Sequence, residues 1–376
     1  MSVTRRDSLR RWSLVGAGVA VLCALPALVA AWPAPTAASP GPAELRTRIL
    51  ASTDRPHHGY VSTDSRLGLP PLPELAETGL RLGSSARVRT WYAGPEAWRV
   101  AELTLVGEQD SYRTPAGRYQ WDYQLNLVTL LAGEASVWLP GVADLVPPEL
   151  ARRLLSVDGR LEPLPARRVA GIGAAGVRLI PADPDTTVGR VDVWADPVSG
   201  LPVRVEVAGR GAADPAFTSR FLQLRQEPPD PAVLEPPAPP GAQWSVLDSS
   251  KLESLAQALP GELPRRLAGM PATSGPAGLA TVRGGAVYGS GFSTVVVVGL
   301  PGRLGGQTVG TAEAAGTPVR LPGADAYQLG GSLFSALVVH ADHPDGDRPP
   351  THTWLLAGLV DPEVLQRMAV ELVAQS

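Results

Sequence analysis

Apolar and polar positions change period several times along this chain, and those changes outline its architecture. Pro42 to Ser52 places Leu45, Ile49 and Leu50 on one side of a short helix. Strand signals follow: Gly59–Thr63, then Ala86–Tyr92 and Trp98–Val106 as a hairpin, then one or two strands over Gly117–Leu131. Pro147 to Leu155 predicts a helix. Gly189–Asp196 and Leu201–Ala208 form the most regular hairpin: Val191, Val193, Val203, Val205 and Val207 face one way, Arg190, Asp192, Arg204 and Glu206 the other. One face of that sheet is therefore wet and the other covered.

Gln226 to Ala242 holds so many prolines that neither a helix nor a central strand can cross it, and it reads as a semi-rigid spacer. Beyond it the pattern predicts a helix over 248–259 with Asp248 or Ser249 as N-cap. A continuous strand over 286–298, strands over 333–340 and 351–358, and a closing helix over 361–373 capped by Asp361 complete a small α+β unit. The resulting division is 1–41 as signal peptide or membrane anchor, 42–227 as the large domain, 228–243 as linker and 244–376 as the small domain.

The first residues read as an export address. Arg5, Arg6, Arg10 and Arg11 precede an apolar run from Trp12 to Trp32. Pro26 before Val29-Ala30-Ala31 fits a cleaved peptide, and a run of about 20 apolar residues fits a retained anchor. Cys23 follows Leu22, where a lipidated cysteine wants a small residue, so an ordinary apolar position explains it. In both readings the remainder folds outside the cytoplasm, tethered or free. The chain has 376 residues, enough for two cores, and a net charge of −3. Residues 1–32 contribute +3 of it, so the exported part carries about −6, which excludes the footprint of a nucleic-acid binder. The single cysteine excludes an internal disulfide framework.

Little in the sequence carries catalytic chemistry. Gly171 to Gly176 matches the dinucleotide fingerprint in letters, yet Val177–Ile180 after it reads as a strand, so a turn between strands explains it. His340, His343, Asp345 and Asp347, with His352 beyond, are the one metal-like constellation, and a solvated turn rich in Asp, Gly and Pro explains them without a metal. No nucleophile elbow, zinc-protease motif or phosphate loop is present, so the reading is of a non-enzyme without cofactor. Nine tryptophans against four phenylalanines are the more informative excess. Read as one strand, Tyr119–Leu131 is apolar on both sides, which requires cover on both or a curled sheet around an apolar cavity. Tyr60, Trp91, Trp98, Trp121, Tyr123, Leu125, Leu127, Trp138 and Val193 are the candidate cavity residues.

A series of segments in order resembles the MucB/RseB family of sigma-factor regulatory proteins. These are Gly59–Ser62, Leu67–Pro73, Val88–Pro95 with Trp98–Val100, Gly107–Asp110, Trp121–Tyr123, Val169–Gly171 with Leu179–Pro181, and Val191–Asp196 with Gly200–Val205. The resemblance spans about residues 43–244 and is fainter beyond. It implies an α+β fold, an unclosed antiparallel β half-barrel with plugging helices (LolA-like), plus a smaller α+β C-terminal domain. It also implies a sensor that binds a lipid or lipoprotein acyl chain and a membrane-bound anti-sigma factor. A lipid or lipoprotein carrier using the same cavity, and an exported hydrolase, are the alternatives.

Overall fold

The computed structural model describes residues 40–67, 85–104, 107–132, 141–237, 240–248, 263–273, 284–331, 333–341 and 352–375. The export segment, Trp138, residues 249–259 of the expected helix, and His343, Asp345 and Asp347 lie outside them. Among the described residues no helix is long and apolar enough to cross a membrane.

Most of the chain forms two open sheets. The larger has twelve strands: β1 (His57–Ser65), β2 (Ala86–Gly94), β3 (Ala97–Leu103), β4 (Glu108–Thr114), β5 (Gly117–Asp122), β6 (Leu127–Ala132), β7 (Gly159–Val169), β8 (Ile172–Pro181), β9 (Val188–Ala195), β10 (Pro202–Gly209), β11 (Phe217–Arg225) and β12 (Gln243–Asp248). Their spatial order is β12-β6-β5-β4-β3-β2-β1-β11-β10-β9-β8-β7. Neighbours are antiparallel except β12, which adds parallel to β6. The ends do not meet, so the sheet is an unclosed half-barrel.

Two helices cover its inner face. Helix α1 (Pro42–Leu50) starts on a proline at its first position and buries Leu45 and Ile49. Helix α2 (Pro147–Leu155) buries Ala151 and Leu155. Both pack on Val177, Leu179, Val191, Val193, Val205 and Val207. Each fully buried aliphatic side chain contributes about 1.5–3 kcal/mol. Arg46 of α1 donates to Leu155 O at 2.7 Å, satisfying a carbonyl at the end of α2 that has no helical partner. The expected alternation of the β9–β10 hairpin holds with one change. A register shift between Pro202 and Arg204 sends Val203 into a neighbouring cluster with Trp194 and Phe221. The other face is wet only in part, because Asp192 is buried between Arg178 and Arg190. The glycine-rich match at 171–176 is a hairpin: Ala170 and Gly171 take φ of 49° and 84° in the turn from β7 to β8.

The proline-rich stretch does not hang free. Residues 226–237 leave β11, and the 3₁₀ turn Pro231–Leu234 lies against β3 and β4. Beneath it Ala101, Asp110 and Tyr112 of the outer face are buried. The chain then enters β12, with Gln243 N–H donating to Asn126 O at 2.9 Å. Residues 243–248 are thus part of the large sheet, and Asp248, expected as a helix cap, ends a strand.

The smaller sheet comprises β13 (Arg266–Leu267), β14 (Met270–Thr273), β15 (Gly285–Tyr288), β16 (Val295–Leu300), β17 (Thr317–Leu321), β18 (Ala324–Gly330), β19 (Ser335–Ala341) and β20 (His352–Gly358), in the order 13-14-15-16-20-19-18-17. The run expected as one strand over 286–298 is two. Gly289 turns at φ 78°, where an added Cβ would stand 2.4 Å from Ser293 O, and β15 folds back onto β16. Helix α3 (Gly302–Ala315), unforeseen because glycine fills four of its positions, packs Gly305 onto Thr353. Helix α4 (Pro362–Gln375) buries Val364, Leu365, Met368 and Leu372.

The two sheets are joined side by side. Thr186 bridges to Val360, Thr187 N–H donates to Leu359 O at 3.0 Å, and Asp361 N–H to Asp185 O at 2.9 Å. Phe292 and Leu333 of the small unit enter the core of the large one.

Candidate functional site

Among the described residues, the inner face of the sheet is filled beneath β7–β11 and hollow beneath β1–β5. Cross-strand register puts His57, Thr90, Tyr92, Trp98, Val100 and Arg118 on that face. Opposite them stand Ala143 and Asp144 of the 3₁₀ turn Val142–Leu145, then Val146, and Pro148, Glu149, Arg152 and Arg153 of α2. A cavity of about 200 Å³ remains between the two sets. That is below the roughly 300–1,000 Å³ of sites for drug-sized molecules, so only a small group fits inside it.

Its polar groups are largely tied up with each other. Burial lowers the His57 pKa to about 4, so the ring is neutral at pH 7; its Nδ1 lies 2.9 Å from Arg55 O and the ring stacks on Tyr92 at 5.0 Å. Tyr92 donates its hydroxyl to Thr53 O at 2.7 Å. Asp144 accepts from Gly141 N–H at 2.7 Å and Arg153 at 2.6 Å. Burial nevertheless raises its pKa to about 6. Burial would also raise Glu149, but hydrogen bonds from Arg153 and Arg152 outweigh it and bring the carboxyl below its usual range. Burial, with Arg113 and Arg153 nearby, pulls Arg118 down. Arg152 is the exception: its Nη2 holds Glu149 at 2.8 Å while its Nη1 is buried without a hydrogen-bond partner. Guanidinium groups set beside Trp98 and Val100 on the sheet and beside Val146 on the opposite wall make the cavity amphiphilic. An anionic oxygen reaching Nη1 would satisfy a donor that is costly to leave unmet.

The residues expected to line one cavity are dispersed. Trp98 lines it. Val193 is fully buried in the core under α1 and α2. Tyr60, Trp91 and Trp121 sit on the outer face, and Leu127 is half-buried on β6. Tyr123 and Leu125 are 61% and 64% exposed, because Gly117–Leu131 is not one strand. Asp122 accepts from the N–H groups of Gln124 and Leu125, Asn126 turns at φ 46°, and β5 reverses into β6. Arg118, Arg152, Arg153, Asp144, Tyr92 and His57 line the cavity and are not among the residues expected there. The available signal was in α2, where Glu149, Arg152 and Arg153 share a side of an otherwise apolar helix.

The outer face carries its own cluster below the proline-rich crossing. The Arg99 guanidinium sits 4.7 Å from the Trp91 ring centroid and 5.3 Å from that of Tyr112, and bonds Asp110 at 2.7 Å. Burial raises the Asp110 pKa to about 6. Elsewhere, His340 Nδ1 lies 2.9 Å from Thr353 Oγ1 and His352 stacks on Trp354; among the described residues no group of three or more His, Cys, Asp or Glu could hold a metal.

No protein-family model matches the chain, and no curated protein does. Among solved structures it is similar to the complex of MucA with MucB from Pseudomonas aeruginosa, with 16% identity over 87% of this chain and 96% of that one and a TM-score of 0.48. An uncharacterized conserved protein from Thermus thermophilus matches 55% of this chain and 98% of its own, with 10% identity and a TM-score of 0.34. A LolA superfamily protein from Nitrosomonas europaea matches 53% and 99%, with 13% identity and a TM-score of 0.24.

Proposed function

We propose that this chain is an exported, non-enzymatic sensor. It holds part of a lipid-like ligand in the cavity under α2 and regulates a membrane-bound anti-sigma factor. The observation that carries the reading is the hollow itself: β1–β5 present an inner face that the side chains of the described residues leave unfilled. The motif series resembling the MucB/RseB family supports the regulatory half, and in solved structures MucB is found with MucA. The cavity's titratable groups support the absence of catalysis. His57 is held neutral against a backbone carbonyl, and Asp144 and Glu149 are engaged by Arg152 and Arg153. Apolar burial at about 25 cal/mol per Å² drives ligand entry, and the arginines hold an acidic end.

Native mass spectrometry of the full chain in detergent, before and after organic extraction, tests this. The expected result is a bound lipid mass that extraction removes and added phospholipid restores. Absence of both the mass and the restoration overturns the ligand assignment. For the partner, co-purification with a membrane-anchored anti-sigma factor from the same genome is expected, and its failure overturns the regulatory assignment.

A further inference from the structure

On the outer face of the large sheet, charge is sorted with unusual economy. Asp192 sits between Arg178 and Arg190, and Glu206 accepts from both Arg167 and Arg204. At the centre of that face, Arg87, Arg89 and Arg220 have no carboxylate within ion-pair distance among the described residues. Arg220, Ser62 and Arg87 are direct cross-strand neighbours on β11, β1 and β2. Arg87 donates to Ser62 Oγ, which in turn lies 3.3 Å from Asp64 Oδ2. The Nε of Arg220 is buried with no hydrogen-bond partner, and Arg87 and Arg89 are exposed. Among the described residues these three guanidiniums on adjacent strands have no direct ion pair, with Asp64 reached only through Ser62, and an anion bound there would offset their mutual repulsion.

The geometry points to an acidic, extended segment of a partner protein, and we propose that this patch docks one. Two strand spacings separate Arg220 from Arg87, about 10 Å, and Arg87 and Arg89 stand two residues apart on one strand, about 7 Å. Carboxylates on alternate residues of an extended chain repeat at that same 7 Å. The small side chain of Ser62 leaves room between the two rows, and Tyr60, paired with Arg89, flanks it. A half-barrel is convex here, so a flat membrane would touch few of these groups at once, whereas a thread-like peptide follows the curve. The chain's net charge of −3 repels polyanions in general, so attraction is confined to this patch. The proposal does not depend on what fills the cavity.

Fluorescence anisotropy on the full chain in detergent tests it, with a fluorescein-labelled peptide of alternating glutamate and serine as probe. A peptide with glutamine for glutamate and vesicles containing phosphatidylglycerol serve as comparisons. Binding of the glutamate peptide that weakens with salt is expected, with a loss of about tenfold or more in the double variant Arg87→Gln/Arg89→Gln. Arg167→Gln, on the same face but paired with Glu206, is expected to leave affinity unchanged. Thermal melts of each variant separate lost binding from lost folding. Equal affinity for the glutamine peptide, or no loss in the double variant, overturns the proposal. Vesicle binding that exceeds peptide binding and shows the same arginine dependence overturns it in favour of a lipid surface.

Discussion

The two halves of the large sheet share one inner face and treat it differently. Beneath β7–β11 it is paved with Val177, Val191, Val193, Val205 and Val207 and sealed by α1 and α2. Beneath β1–β5 the equivalent positions are His57, Tyr92, Trp98 and Arg118, and a hollow remains. Helix α2 divides them. Ala151 and Leu155 turn to the filled half, while Glu149, Arg152 and Arg153 turn to the hollow one. One nine-residue helix thus seals the core on one side and lines the hollow on the other.

The largest effect belongs to the filled side. Leu155→Ala removes a fully buried side chain and is expected to cost about 2–5 kcal/mol, read as a fall in the urea midpoint. Gly200→Ala comes next. Gly200 has φ 74°, and an added Cβ would stand 2.4 Å from Arg48 O at the end of α1, so a loss of about 1–3 kcal/mol is expected in thermal melts. On the hollow side, Arg152→Gln is expected to change stability by less than about 1 kcal/mol while reducing retention of acidic phospholipid by native mass spectrometry. A cost as large as that of Leu155→Ala would erase the distinction between the halves.

The smallest effect is a change in pH dependence. His57 has its pKa lowered to about 4, so the unfolded chain binds a proton that the folded one refuses. Its contribution is present above about 6.5 and is lost as pH falls toward 4. Asp144 and Asp110, raised to about 6, act in the opposite sense. The folded state protonates first, so their contribution to stability improves as pH falls through 6. Removing the imidazole in His57→Gln should therefore make the variant's stability at pH 5, relative to pH 7, higher than the wild type's. Parallel urea midpoints at the two pH values would refute this.

Alternation carried the sequence reading where a strand is covered on one side, as in β9 and β10; apolar spacing located α1 and α2, and the Asp361 cap with Pro362 located α4. It failed where local chemistry interrupts a pattern. Asp122 and Asn126 reverse the chain inside an apolar run, and Gly289 does the same between two β-branched stretches. The cavity was hard to see for another reason. Its walls come from four strands, a 3₁₀ turn and a helix far apart in sequence, and their charged groups look like surface residues until the register brings them together. Tryptophans pointed to the right region, yet among the described candidates only Trp98 lines the hollow.

The crossing from β11 to β12 bears on where this protein can be cut. A truncation at the proline-rich stretch, the natural choice from sequence, would strip away the parallel neighbour of β6 and the cover over Tyr112 and Asp110. The excised large unit would then expose a raw edge and a buried carboxylate to solvent. A fragment meant to stand alone has to run at least to Asp248.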